Sequence, residues 1–275
     1  MSLQWYPGHM TKARRELAAL MPSQDVIIEV LDARLPASSS NPLVTELRRN
    51  TPCIKVLTRS DLADPEETKA WLVYLGKQPN VTAIESSTDR PADTRQRISQ
   101  LTAGAARHRG PDKRVRALVT GVPNVGKSTL INTLMHRTVA DVGDKPAITK
   151  RQQTVTLKDG TNLTDSPGLL WPKIEDERGA FRLALAGSIP DTAIDYLTIA
   201  MFGAATMLER YPQLLSKRYK LSAVPASAEA LLSEIGKRRG CLRAGGVVEL
   251  HMAAEILVRE FRSGAIGRMT LESCS

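Results

Sequence analysis

Apolar residues follow two regimes along this chain. In the first part they gather in short runs at residues 25–31, 52–57, 81–84 and 115–120, with a weaker signal over 153–164. Runs of this length, bounded by turn residues, predict buried strands. Helical spacing lies between them. Met10, Ala13, Leu17 and Leu20 recur on one face of residues 5–20, with Lys12, Arg14 and Arg15 opposite, which reads as an amphipathic helix covering a sheet. Further helices are expected near 65–75 and over 129–135. Strands alternating with helices predict an α/β, doubly wound and mostly parallel sheet. From about residue 175 no strand signal competes. Residues 182–187, 191–209, 226–238 and 247–262 read as helices set apart by Pro190, Pro212, Pro225 and Gly245-Gly246. The pattern divides the chain into an α/β domain over 1–174 and a small all-α domain over 175–275.

Composition narrows the partners. The net charge is +9, from 38 basic and 29 acidic residues. That excess favours a polyanion, although an ordinary basic enzyme accounts for it equally well. Three cysteines, far apart and without a C-x-x-C, suggest reduced thiols in a cytoplasmic protein and no metal site built on cysteine. No apolar run approaches the roughly 20 residues of a membrane span. Monomer is the expected state, and no DNA partner is expected.

The chemistry begins at Gly121-Val-Pro-Asn-Val-Gly-Lys-Ser-Thr129. This is the G-x-x-x-x-G-K-[ST] loop that cradles a triphosphate between a strand and a helix N-terminus. In it Asn124, Val125, Gly126, Lys127, Ser128 and Thr129 are the phosphate-binding candidates. Lys127 would meet the β- and γ-phosphates, and the Ser128 hydroxyl would meet Mg²⁺. Asp165-Ser-Pro-Gly168 fits D-x-x-G, with Asp165 on Mg²⁺ through water and the Gly168 amide on the γ-phosphate.

The base-reading signature [NT]-[KR]-x-D is expected downstream, and residues 169–275 contain none. Thr58-Arg-Ser-Asp61 supplies it upstream, at the end of the strand over 52–57. Asp61 is the acceptor for guanine N1 and N2, donors that adenine lacks. Thr58 would tie this loop to the phosphate loop, the Arg59 stem would cover the base, and Ser60 completes the segment. Ser86 and Ser87, after the strand over 81–84, offer amides to guanine O6. A plainer reading makes Asp61 the N-cap of the helix near 65–75. Base loop before phosphate loop is the order of a circularly permuted GTPase domain. Residues 107–114, basic and holding Gly and Pro, read as the new joint.

Beyond the phosphate loop, six further segments carry a family resemblance: Trp5-Tyr-Pro-Gly-His-Met10, Asp32-Ala-Arg-Leu-Pro36, Thr58–Asp61, residues 143–149, Asp165–Gly168 with Leu169-Leu-Trp-Pro172, and Lys237-Arg-Arg-Gly-Cys-Leu242. Nearly end to end, the chain resembles the YlqF/RbgA type of circularly permuted GTPase, the ribosome biogenesis GTPase A group. The resemblance implies GTP/GDP binding with Mg²⁺, GTP hydrolysis, binding to rRNA and action in late assembly of the large ribosomal subunit. It makes Thr149 the switch threonine on Mg²⁺. Ala147 stands where the family usually has Gly, and Thr58-Arg59 where Asn-Lys is common.

Leu169 follows D-x-x-G where many GTPases place a water-orienting Gln, so turnover alone is expected to be slow. Two residues could compensate. In related GTPases lacking that Gln, an Asn at the place of Asn124 holds K⁺ against the phosphates. His9 could polarise the water, although a lone His is more often structural. Lys237 to Arg243, Arg259, Arg262 and Arg268 suit phosphate contact or solvated helix ends, and the resemblance favours RNA. A signalling GTPase and an RNA-binding module with a vestigial nucleotide site are the competing readings.

Overall fold

The computed structural model describes residues 8–105, 114–135, 153–171 and 176–274, with only the backbone of 8–10. Among the described residues, six strands form one sheet: β1 (Val26–Asp32), β2 (Cys53–Thr58), β3 (Val81–Glu85), β4 (Arg116–Thr120), β5 (Gln153–Thr156) and β6 (Asn162–Asp165). The order is β3-β2-β1-β4-β6-β5, parallel throughout except for β5. The described helices that accompany it are α1 (Gly8–Leu20), α2 (Pro36–Ser39), α3 (Pro42–Arg48), α4 (Pro65–Gly76), α5 (Pro91–Ala105) and α6 (Lys127–Met135). Then come α7 (Glu177–Leu185), α8 (Tyr196–Arg210), α9 (Pro212–Tyr219), α10 (Ala228–Arg239) and α11 (Leu250–Ser263).

Each strand expected from the apolar runs is present, and the weak signal over 153–164 resolves into an antiparallel pair, β5 and β6. Every residue of β1 is buried. Glu29, in the middle of the strand, survives there because Lys55 stands opposite in the β1–β2 register, 3.2 Å away, and the Asn41 amide donates to Glu29 at 2.9 Å. Leu17 of α1 is buried while Lys12, Arg14 and Arg15 face solvent, so α1 covers the core as its pattern predicts.

Pro212 does not separate two helices as a breaker. It is the first residue of α9, where its fixed φ and missing N–H suit a helix start. Pro36, Pro42 and Pro65 open α2, α3 and α4 in the same way. Helix α8 starts at Tyr196, later than expected, because the Asp195 carboxylate caps Thr198 N–H. One apolar core runs from Leu17 and the sheet into Leu183, Ile199, Leu257 and Phe261 of the helical part. Among the described residues no helix is long and apolar enough to cross a membrane.

Candidate nucleotide site

Strand order reverses between β1 and β4: the chain from β1 continues to β2 on one side, and that from β4 leads to β6 on the other. Ligands of open α/β sheets sit at the carboxyl ends of strands around such a point. The phosphate loop follows β4, D-x-x-G ends β6, and Thr58–Asp61 ends β2. All three therefore meet at one edge, although base loop and phosphate loop are far apart in sequence.

Thr58 makes that meeting concrete. Its hydroxyl lies 2.6 Å from Val125 O in the phosphate loop and 2.9 Å from Leu31 O. Arg59, with left-handed backbone at φ 58°, sends one guanidinium nitrogen to Asn124 O and another to Asp32 Oδ2, each at 2.7 Å. Arg59 therefore clamps the two loops together through its head group. Asp61 Oδ1 is buried and accepts no hydrogen bond from the described residues. The N-cap of α4 is Asp64, which accepts from the amides of Glu66 and Glu67. Asp61 is therefore not spent on capping, and the plainer reading of it fails. A buried acceptor left without a donor suits a ligand that brings two N–H groups.

Ser86 is less available than expected. Its amide donates to Leu57 O at 2.8 Å within the sheet edge, and its carbonyl accepts from Ser60 Oγ at 3.2 Å. An amide already paired cannot serve a purine oxygen, so Ser87 alone remains of that pair.

The phosphate loop is built on close backbone approach. A Cβ at Gly121 would stand 2.5 Å from Val30 O. A Cβ at Gly168 would stand 2.8 Å from Pro123 Cα and 3.1 Å from Lys127 Nζ, so only glycine lets D-x-x-G lie against the loop. Lys127 is buried and donates to Gly121 O at 3.1 Å and Val122 O at 2.8 Å. Burial pushes its ammonium down to about 8, against the pull of Asp165. Burial likewise pushes the Asp165 carboxyl up to about 6, with Lys127 and the Ser166 amide opposing. Asp165 Oδ1 takes no hydrogen bond from the described residues. Burial penalises the charged form of both groups. An anion at Lys127 and a hard cation near Asp165 would each relieve that burial, so the donor set fits a metal-bound phosphate.

Leu169 is buried, and its amide donates to Gly121 O at 3.3 Å. Its side chain belongs to the core and cannot orient water. Asn124 has left-handed backbone at φ 57° and donates through Nδ2 to Gly187 O, just past α7. The His9 side chain, Ala147, Thr149, Pro172 and residues 107–113 lie outside the described residues.

Asp32 and Arg34 are the residues whose part the sequence did not disclose. Arg34 is 1% exposed and grips Asp32 at 2.8 Å through Nη2. Its Nη1 donates to Phe261 O and Arg262 O at 3.0 and 3.2 Å, at the end of α11. Burial alone would raise the Asp32 carboxyl, but Arg34 and Arg59 override it and hold it well below the usual carboxylate range. This carboxylate therefore stabilises the fold above its unfolded pKa near 4, and the contribution is lost as pH falls through the lower folded value. Arg34→Met keeps the volume and removes the charge. It is expected to cost about 3 kcal/mol in urea unfolding, because Asp32 then keeps Arg59 alone.

A family model described as a 50S ribosome-binding GTPase matches residues 116–200. Ribosome biogenesis GTPase A of Bacillus pumilus is 40% identical over 99% of both chains. The chain belongs to the ribosome biogenesis GTPase A family. The member from Thermotoga maritima is 31% identical over 98% of this chain and 94% of its own. Mouse mitochondrial ribosome-associated GTPase 1 is 31% identical over 98% of this chain and 90% of its own. A GNP-bound structure of YlqF from T. maritima superposes with a TM-score of 0.66 at 27% identity, covering 95% of this chain and 98% of that one. A GDP-bound YlqF gives 0.67, with 94% and 99% covered. This member is a GTPase: it binds guanine nucleotides and hydrolyses GTP on a permuted P-loop domain followed by a helical region.

Proposed function

We propose that this GTPase is a switch of large-subunit assembly: GTP holds the form that binds rRNA of the maturing particle, and hydrolysis releases it. The relatives' names, ribosome biogenesis GTPase A and mitochondrial ribosome-associated GTPase 1, support the ribosomal partner. The observation that supports the nucleotide half is the Thr58–Val125 hydrogen bond, which joins the loop of Asp61 to the loop of Lys127.

In this reading Asp61 accepts from guanine N1 and N2, and the Ser87 amide donates to O6. Lys127 and the loop amides over 124–129 hold the phosphates. Gly168 donates its amide to the γ-phosphate. Ser128, Asp165 and Thr149 are the residues that would hold Mg²⁺, which when bound neutralises phosphate charge. Asn124 is assigned to K⁺ and His9 to the water, both reached fully only on the particle. With Leu169 turned into the core, turnover alone is slow and the particle accelerates it.

The division at 174–175 is a division of labour, with RNA contact in the helical part. There, Arg262 and Arg268 are not phosphate contacts. Arg262 donates to Ala184 O and Leu185 O at 3.0 Å, and Arg268 to Ala63 O and Ser60 O. Lys237, Arg243 and Arg259 remain largely exposed, although each has an acidic neighbour: Glu234, Glu249 and Glu255. Phosphate would compete with those exposed pairs at little cost.

Co-sedimentation with large ribosomal subunits tests the reading. Association is expected with a non-hydrolysable GTP analogue, and at least about tenfold less with GDP, which is 1.4 kcal/mol of coupling. Nucleotide-insensitive association would make the site vestigial, and none at all would point to a signalling GTPase.

A further inference from the structure

The loop that carries Asp61 is short of bonds of its own. Leu62 N–H reaches Arg59 O at 2.9 Å, and Ser60 N–H reaches Ser86 O at 3.4 Å. Its outward carbonyls are met instead by the far end of the chain. Arg268 donates from Nη2 to Ser60 O at 3.0 Å and from Nε to Ala63 O at 2.9 Å. Met269 N–H donates to Leu62 O at 3.1 Å. The Thr270 hydroxyl accepts from Asp64 N–H at 3.2 Å and lies 3.2 Å from Ala33 O. Leu271 N–H closes on Arg34 O at 2.7 Å. Met269, Thr270 and Leu271 are buried, so this is packed structure and not a loose tail. The chain enters it through Gly264, at φ 75°, where a Cβ would stand 2.6 Å from Leu62 Cδ2.

We propose that residues 268–270 complete the guanine-reading loop, with Arg268 as a positioning residue. Its planar fork spans two carbonyls that flank Asp61 and fixes the carboxylate against the base without touching the nucleotide. A lysine carries the same charge but presents a single point donor and cannot bridge both. The inference rests on the reading of Asp61 as the guanine acceptor. It also makes the end of α11 part of the purine site, so displacement of that helix by a partner would alter guanine affinity, and the reverse.

The test compares GDP with inosine diphosphate, whose base lacks the N2 amino group and makes one bond fewer to Asp61. Calorimetric affinities for both are measured on wild type, Arg268→Ala and Arg268→Lys. Arg268 is solvent-exposed, so its truncation opens no cavity. Loss of one positioned bond, about 1 kcal/mol, is expected to cost GDP about fivefold. Inosine diphosphate loses less, so the preference for GDP narrows, and Arg268→Lys restores it only partly. An unchanged preference in Arg268→Ala, or full rescue by lysine, would overturn the proposal; should the alanine variant aggregate, lysine supplies the same ratio. Asp61→Asn measured alongside separates the two ideas. If it leaves the GDP preference intact, the base-loop reading fails; if it abolishes the preference while Arg268→Ala does not, only the role of the tail fails.

Discussion

Asp61→Asn is expected to weaken GDP and GTP binding by about a thousandfold and to bring xanthosine nucleotides into the range the wild type reserves for guanine. The carboxylate oxygen Oδ1 is buried with no donor among the described residues. Guanine N1–H and N2–H₂ would give the carboxylate two charge-assisted bonds, each worth about 1.5–3 kcal/mol. An amide in that place turns an N–H₂ towards guanine's own donors, losing both energy and complementarity. Xanthine carries a carbonyl at C2, which that amide can meet. The combined loss of about 4 kcal/mol corresponds to three decades of affinity. Titration calorimetry with GDP and xanthosine diphosphate checks both halves. A variant that still prefers GDP would remove Asp61 from the base site, and the permuted arrangement of that site with it.

Lys127→Ala is the second large effect. The buried ammonium already donates to two loop carbonyls, and burial lowers its pKa to about 8. At neutral pH it stays charged, so it can exchange those carbonyls for phosphate oxygens without changing protonation state. Removing it is expected to weaken GTP by at least about a hundredfold, two charge-assisted bonds being worth roughly 3 kcal/mol or more. Turnover at saturating GTP should fall by about 10²–10³, the usual loss when a donor to developing charge is removed. Thermal melting with and without nucleotide reads the first effect: the upward shift given by millimolar GDP disappears. A retained shift, with wild-type turnover, would take Lys127 out of the phosphate site.

Much of this candidate site is legible in the sequence, because its parts are local. A phosphate loop is a run of backbone donors whose geometry is set by Gly121, Gly126 and their neighbours, so spacing alone reveals it. The strand ends bearing Thr58–Asp61 and Asp165–Gly168 are equally local. Misreadings arose where one residue type serves two jobs. Pro212 looks like a break and is a helix start. Arg262 and Arg268 look like free cations and are donors to backbone carbonyls. Ser86 looks like a free amide and is a rung of the sheet edge.

The amino-acid order by itself determined the α/β pattern, the phosphate loop, the inverted order of base and phosphate loops, and the helical end of the chain. Each follows from neighbours within a few residues, where periodicity and turn chemistry act. Tertiary structure alone decided which partner each of these charges meets. Asp32 lies between Arg34 and Arg59, Glu29 faces Lys55, and Arg268 meets carbonyls some 205 residues earlier. A charge leaves no periodic trace of its partner, because the distance that matters is through space. Its cost or benefit is fixed only when folding removes the water around it.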